Sequence, residues 1–234
     1  MAISKNRDEI TTNAEIKLDT TLQKKIDVEK TLSQPKINSN MPKNTGAVKS
    51  VAKDNVTKIG LETTLKWLQE HSAEAKKWST EDLSYVDELN FNMKKITNAD
   101  LKHLKNLPFL AKLWIGTTEV TDEGLKEILH LTELKSLNLG RTQITDVGLK
   151  TISSMQSLTA INLYRTKITD KGLKEMLSQC TLTELNLGYT KITDEVLHEL
   201  SAQTSLTRLF LSGTKISEDG IKKLKEALPN CTIQ

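Results

Sequence analysis

The sequence repeats itself every 24 residues, and that period constrains the fold more than any other feature. Ser136–Met155 reads SLNLGRTQITDVGLKTISSM, Ala160–Gln179 reads AINLYRTKITDKGLKEMLSQ, and Glu184–Gln203 reads ELNLGYTKITDEVLHELSAQ. Self-similarity at one fixed spacing is the signature of stacked units, none of which can bury its own apolar face without neighbours.

Each unit follows the pattern LxxLxLxxTxITDxGLxxL. Apolar and polar residues alternate around Leu137 and Leu139, the period of a strand. Ile144 then buries a turn, and Leu149 and Ile152 recur at helical spacing. Thr145 fits a helix N-cap, and Asp146 sits where the helix dipole favours an anion. A unit is therefore a short strand, a tight turn and a short helix. The columns hold through six copies. The strand column is Leu89, Leu113, Leu137, Ile161, Leu185 and Leu209, and the turn column is Ile96, Val120, Ile144, Ile168, Ile192 and Ile216. The glycine column reads Asp100, Gly124, Gly148, Gly172, Val196 and Gly220, and marks close packing near the helix start. The first and last copies are the least regular, as capping units should be.

From Val86 to Cys231 the pattern resembles leucine-rich repeat proteins. The ITDxGL signature is most similar to the cysteine-containing and ribonuclease-inhibitor-like branches, which include bacterial proteins and the repeat domains of F-box proteins. The resemblance implies an α/β solenoid: an open horseshoe with parallel strands on the concave face and helices on the convex face. One column departs from the family. The usual Asn or Cys at the strand end is Thr118, Thr142, Thr166, Thr190 and Thr214, whose hydroxyls are expected to bond the neighbouring turn's backbone. Lys94 holds that place in the first copy, which points to a solvated outer edge. The ending LPNCTIQ is similar to the closing segment of bacterial members, and reads as a natural end.

The rest of the chain divides at its composition. Residues 1–57 carry ten basic and seven acidic residues and no aromatics, so they hold the whole net charge of +3. Such a segment cannot bury enough apolar surface to order itself, and reads as a disordered basic tail. Ile10, Ala14, Leu18, Leu22 and Ile26 recur every four residues, the spacing of a marginal amphipathic helix. Residues 58–85 read as a helical cap on the first repeat, with Trp67 and Trp78 packing against it and a second short turn opening at Ser79–Asp82. Residues 86–234 hold the six repeats and the closing segment. The N-terminus lacks an apolar run of signal-peptide length, and no stretch reaches membrane-spanning length. A soluble, cytoplasmic monomer is expected, or one exported into a host cell without a cleaved signal. Cys180 and Cys231 lie too far apart in the stack to bridge, and both read as reduced, buried and structural.

No catalytic constellation is visible. His71, His103, His130 and His198 fall at unrelated places, and HExxH, paired CxxC, P-loop and GxSxG patterns do not occur. The acidic column Asp122, Asp146, Asp170, Asp194 and Glu218 is explained as helix-start charge. A basic helix column, Lys102, Lys126, Lys150, Lys174, His198 and Lys222, is interleaved with acids and reads as a solvated face, not a nucleic-acid site. The chain is expected to be no enzyme and to need no cofactor or metal.

Binding is expected on the strand face. Trp114 and Phe210 occupy its outward positions, where large aromatics gain nothing from the core. Arg141, Tyr164, Arg165 and Tyr189 fall in adjacent columns, and Trp, Tyr and Arg are the residue types that anchor interfaces. Asn138, Asn162 and Asn186 line the same face and are expected to stay hydrated. The expected function is non-enzymatic binding of another protein, in the setting of a bacterial effector. The alternative is a substrate-recognition subunit of an F-box-like ubiquitin-ligase complex, with residues 1–85 recruiting a second partner.

Overall fold

The computed structural model describes residues 58–234, so the expectations for the tail and its Ile10–Ile26 helix lie outside the described residues. Seven parallel strands form one open sheet in sequence order. They are β1 (Glu88–Asn90), β2 (Lys112–Trp114), β3 (Ser136–Asn138), β4 (Ala160–Asn162), β5 (Glu184–Asn186), β6 (Arg208–Phe210) and β7 (Thr232–Ile233). The register keeps the 24-residue period: Leu89 lies opposite Leu113, Leu113 opposite Leu137, and Leu209 opposite Ile233. The expected α/β solenoid is what forms. The seventh strand is an addition, because Thr232 and Ile233 of the closing segment continue the ladder beyond the sixth copy.

Behind the sheet the chain returns through short helices: α2 (Asp122–Leu125), α3 (Asp146–Ile152), α4 (Asp170–Leu177), α5 (Leu197–Ser201) and α6 (Glu218–Ala227). The strand and turn columns close into one core, with Leu89, Leu113, Leu185, Ile96, Val120 and Ile144 inaccessible to solvent. Burying each such side chain stabilises the stack by roughly 1.5–3 kcal/mol.

The helix starts join one coil to the next. The Asp146 carboxylate accepts the Thr169 backbone N–H at 2.7 Å and the Thr169 hydroxyl at 2.6 Å. Asp122 does the same for Thr145, Asp170 for Thr193 and Asp194 for Ser217. All five acids of the column sit in the first turn of a helix, as expected, but helix-start charge is not their whole role, because four of them also link one coil to the next. A carboxylate satisfies two donors of the following coil, and charge-assisted bonds of this kind are the stronger class. Asn98 opens the ladder with the same geometry in reverse polarity: its Oδ1 accepts the Thr121 N–H and its amide donates to the Thr121 hydroxyl.

The ladder also explains the glycine column. A Cβ at Gly148 would stand 2.3 Å from Asp122 Oδ1, and one at Gly220 would stand 2.5 Å from Asp194 Oδ1. Where the column holds Asp100 or Val196, the helix opens as a 3-10 turn, Asp100–Asn106 or Asp194–Val196. The tighter turn accommodates a side chain where the α-helical start needs glycine. Thr145, Thr193 and Ser217 cap their own helices through the hydroxyl as expected, whereas Thr121 and Thr169 make no such bond.

At the other end, α1 (Lys58–His71) packs on the first coil. The buried Thr64 hydroxyl donates to the His103 carbonyl, and Asn106 donates to Thr64 and to the Gly60 carbonyl. Trp67 is buried, its indole N–H donates to Asp100, and its ring meets Phe91 edge-on at 5.1 Å. Trp78 is half-buried against the same core, and Leu83 is buried in the 3-10 turn Asp82–Tyr85. Cys180 and Cys231 are free thiols. Cys180 is buried, and Cys231 is only partly so, because the last coil has no successor to cover it. Burial pushes both thiols above their ordinary range.

Candidate functional site

The strand face is shaped by the turn that ends each strand. Met93, Thr117, Arg141, Arg165 and Tyr189 all adopt left-handed backbone with φ between 52° and 60°, and Gly213 completes the column at 73°. Non-glycine residues resist this conformation, so neighbouring bonds must hold it. In the third coil the Thr142 N–H and hydroxyl both donate to the Leu139 carbonyl, and the Gly140 N–H donates to Asn138 Oδ1. The threonine column therefore bonds its own coil. This corrects the expectation that it reaches the neighbouring turn; the hydroxyl lies three residues after a carbonyl that the tight turn turns toward it.

The asparagines serve the same turn. Asn138, Asn162 and Asn186 accept the N–H groups of Gly140, Tyr164 and Gly188. Asn138 and Asn186 are buried, so the expected hydrated column is a set of turn-forming side chains. In the second coil, where Trp114 replaces asparagine, Asn92 of the first coil accepts the Gly116 N–H instead. That substitution frees the second strand to present an aromatic.

Four of the expected site residues meet in one cluster. The Tyr164 and Tyr189 rings are 5.4 Å apart at 71°. Arg165 lies over both, 5.5 Å from the centre of Tyr164 and 4.7 Å from that of Tyr189, and Arg141 lies 5.5 Å from Tyr164. Such stacked cation–aromatic contacts pre-order long side chains. Glycines make the room: a Cβ at Gly188 would touch the Tyr164 ring at 3.0 Å, and one at Gly213 would come within 2.8 Å of Tyr189. Tyr164 is buried under its neighbours, Arg165 is exposed, and Arg141 and Tyr189 are half-exposed. Trp114 on β2 and Phe210 on β6 are half-exposed and flank the cluster from opposite sides, without joining it.

Other candidate chemistry stays dispersed. His130 and His198 are exposed on different coils. His71 and His103 do converge, across sequence, on Trp67, with ring centres 5.1 Å away in each case. Burial lowers the His103 pKa, with nearby Asp100 opposing and His71 adding to the shift. Among the described residues no group of three or more His, Cys, Asp or Glu could hold a metal ion. The helix lysines face acids: Lys126 meets Glu123, Lys150 meets Glu175 and Lys174 meets Glu195. No helix among the described residues is long and apolar enough to cross a membrane.

Residues 130–153, 154–177 and 178–195 match the family model of the leucine-rich repeat. The chain carries leucine-rich repeats. Among solved structures, it is similar to internalin C2 of Listeria monocytogenes, with a TM-score of 0.50 and 23% identity over 74% of this chain and 81% of that one. That likeness is one of fold. A leucine-rich repeat protein of Leptospira interrogans is more distant, with a TM-score of 0.44 and 18% identity over 65% of this chain and 50% of that one. No curated protein matches the sequence. The leucine-rich repeat fold generally mediates protein–protein interaction.

Proposed function

We propose that this chain binds another protein on its strand face and carries out no catalysis. The observation that supports this most is the Arg141–Tyr164–Arg165–Tyr189 cluster, in which two rings and two guanidinium groups are held in place before any partner arrives. Pre-ordered aromatic and arginine side chains lose little entropy on binding, which is why they dominate interface energetics. Trp114, Arg141, Arg165, Tyr189 and Phe210 are the members with surface left to offer, and Tyr164 is their support. Asn138, Asn162 and Asn186 act by shaping the turns that present them. Action as an effector in a host cell would draw on residues 1–57, whose Thr- and Asn-rich composition permits a secretion signal.

The test is affinity capture followed by quantitative binding to whatever partner is recovered. Full-length protein is compared with the Trp114→Ala, Arg165→Ala, Tyr189→Ala variant, its fold checked by circular dichroism. The expected result is loss of the partner by a factor of roughly a hundred or more, since each anchor is worth on the order of 1–2 kcal/mol. Equal capture by the folded triple variant would remove the strand face from the function.

A further inference from the structure

The edge of the strand face where each strand turns toward its helix carries one sign of charge. In coils three to six its two outward columns read Arg141, Arg165, Tyr189, Gly213 and Gln143, Lys167, Lys191, Lys215: five cations and no acid. Lys167, Lys191 and Lys215 are exposed. Backbone bonds stack this column coil on coil, with the Lys167 N–H on the Ile144 carbonyl at 2.9 Å and the Lys215 N–H on Ile192 at 2.7 Å. Within the fourth coil, Arg165 and Lys167 flank the buried Thr166 and share the outer side. Asp146, Asp170 and Asp194, which follow this edge in sequence, bond the donors of the next coil. On the opposite edge Lys112 pairs with Glu88, and Arg208 pairs with Glu184.

We propose that this basic turn edge, together with the Tyr164–Tyr189 cluster it borders, takes an acidic segment of the protein partner. The proposal rests on the protein-binding function above and adds the chemistry of the ligand. Three features select the occupant. The lysine row covers three coils, roughly 10 Å at the strand spacing, close to one three-residue turn of a polyproline II segment (about 9 Å), in which side chains three apart share a face. The lysine column gives way to Gln143 in the third coil and Glu119 in the second, and residues 58–234 carry as many acids as bases, so the long continuous basic surface of a nucleic-acid binder is missing from the described residues. Residues 1–57 are themselves net positive, which favours a separate acidic chain as the occupant. Complementary charge at such a site sets partner choice and association rate, and exposed pairs weaken as salt screens them.

The experiment uses full-length protein against an array of short synthetic peptides of graded Asp and Glu content, with an oligothymidine strand and phosphatidylserine vesicles as competing polyanions. Three proteins are compared: wild type, Lys167→Glu/Lys191→Glu/Lys215→Glu, and Trp114→Ala/Tyr189→Ala. The expected result is enrichment of acidic peptides by wild type, weakened by added salt, and a loss of roughly tenfold or more in the charge-reversed variant. Enrichment of neutral or basic peptides that is lost with Trp114→Ala/Tyr189→Ala would overturn the acidic assignment and leave the protein-binding function standing. Binding of oligothymidine or vesicles more tightly than of any peptide would overturn it in favour of a different polyanion. Absence of peptide binding by all three proteins would overturn both.

Discussion

The helix-start edge and the turn edge of each coil lie a few residues apart in sequence and follow opposite rules. At the helix start the residues repeat almost without change: Asn98 or Asp, then Thr or Ser one coil on, and glycine where the next helix must pass the carboxylate. At the turn edge the backbone repeats, with left-handed φ in every coil, but the side chains run Met93, Thr117, Arg141, Arg165, Tyr189, Gly213. Identity is kept where a side chain holds its neighbour, and varied where the side chain faces outward. In a solenoid, where each unit contacts only the next, a column of identical polar residues marks coupling between coils, and a column that varies over a fixed backbone is where recognition can be written.

The largest effect that could break this contrast comes from the ladder. Asp146→Ala should destabilise the fold by roughly 2–3 kcal/mol, because the Thr169 N–H and hydroxyl lose a charged acceptor. Asp146→Asn should recover most of that loss, since Asn98 performs the same task in the first coil. Urea unfolding of the three proteins checks both statements; equal losses in the two variants would contradict the ladder geometry.

Gly148→Ala comes next, at roughly 1–3 kcal/mol for forcing a methyl group against Asp122, Ile144 and Leu125. Paired with Asp122→Ala it should cost less than the sum of the two single changes, because the closest clash is with the carboxylate itself. A strictly additive double-mutant cycle would show that the glycine column serves something other than the ladder.

The smallest effect lies at the cap. The folded state holds His103 below its ordinary pKa of 6.5, chiefly because burial disfavours the imidazolium. The unfolded chain then binds more protons between the two values, so stability is full above the ordinary pKa and is lost as pH falls toward the lowered one. Thermal unfolding should show a small acid-side decrease through this window that His103→Gln abolishes. Below it, Asp100 adds a second loss. Burial pushes its carboxyl up, but bonds from the Thr97 hydroxyl and N–H and from the Trp67 indole outweigh that and leave it lowered, so its contribution disappears as pH falls through the carboxylate range.

Much of the architecture was legible because it is periodic. A 24-residue spacing in Leu89, Leu113 and Leu137 becomes, unchanged, the Cα register of β1, β2 and β3. The aromatic cluster could also be anticipated, because Tyr164, Arg165 and Tyr189 fall in adjoining columns of adjoining coils. What stayed hidden depends on contacts that span a coil. Asp146 looks like a helix-dipole residue when read with its own helix, and becomes a coil-to-coil acceptor only against Thr169, 23 residues later. The signal was present as a coincidence of columns, an acid followed at fixed spacings by Thr and then by Gly. The role of Asn138 and Asn186 is hidden from the sequence for a related reason. Alternation along a strand places them outward, but the turn folds the backbone over them and buries the amides against Gly140 and Gly188. Val196 shows the reverse: one substitution in a glycine column changes the helix start to a 3-10 turn while Thr193 keeps its bonds to Asp170.

The most direct test of coil-to-coil coupling is native-state hydrogen exchange at the backbone N–H groups of Thr145, Thr169, Thr193 and Ser217, in wild type and in Asp146→Ala. Wild-type protection at all four should approach that of the buried strand amides, and Asp146→Ala should release Thr169 first and most. Exchange at these four positions as fast as in exposed loops, or unchanged protection of Thr169 in the variant, would contradict the ladder as the link between coils.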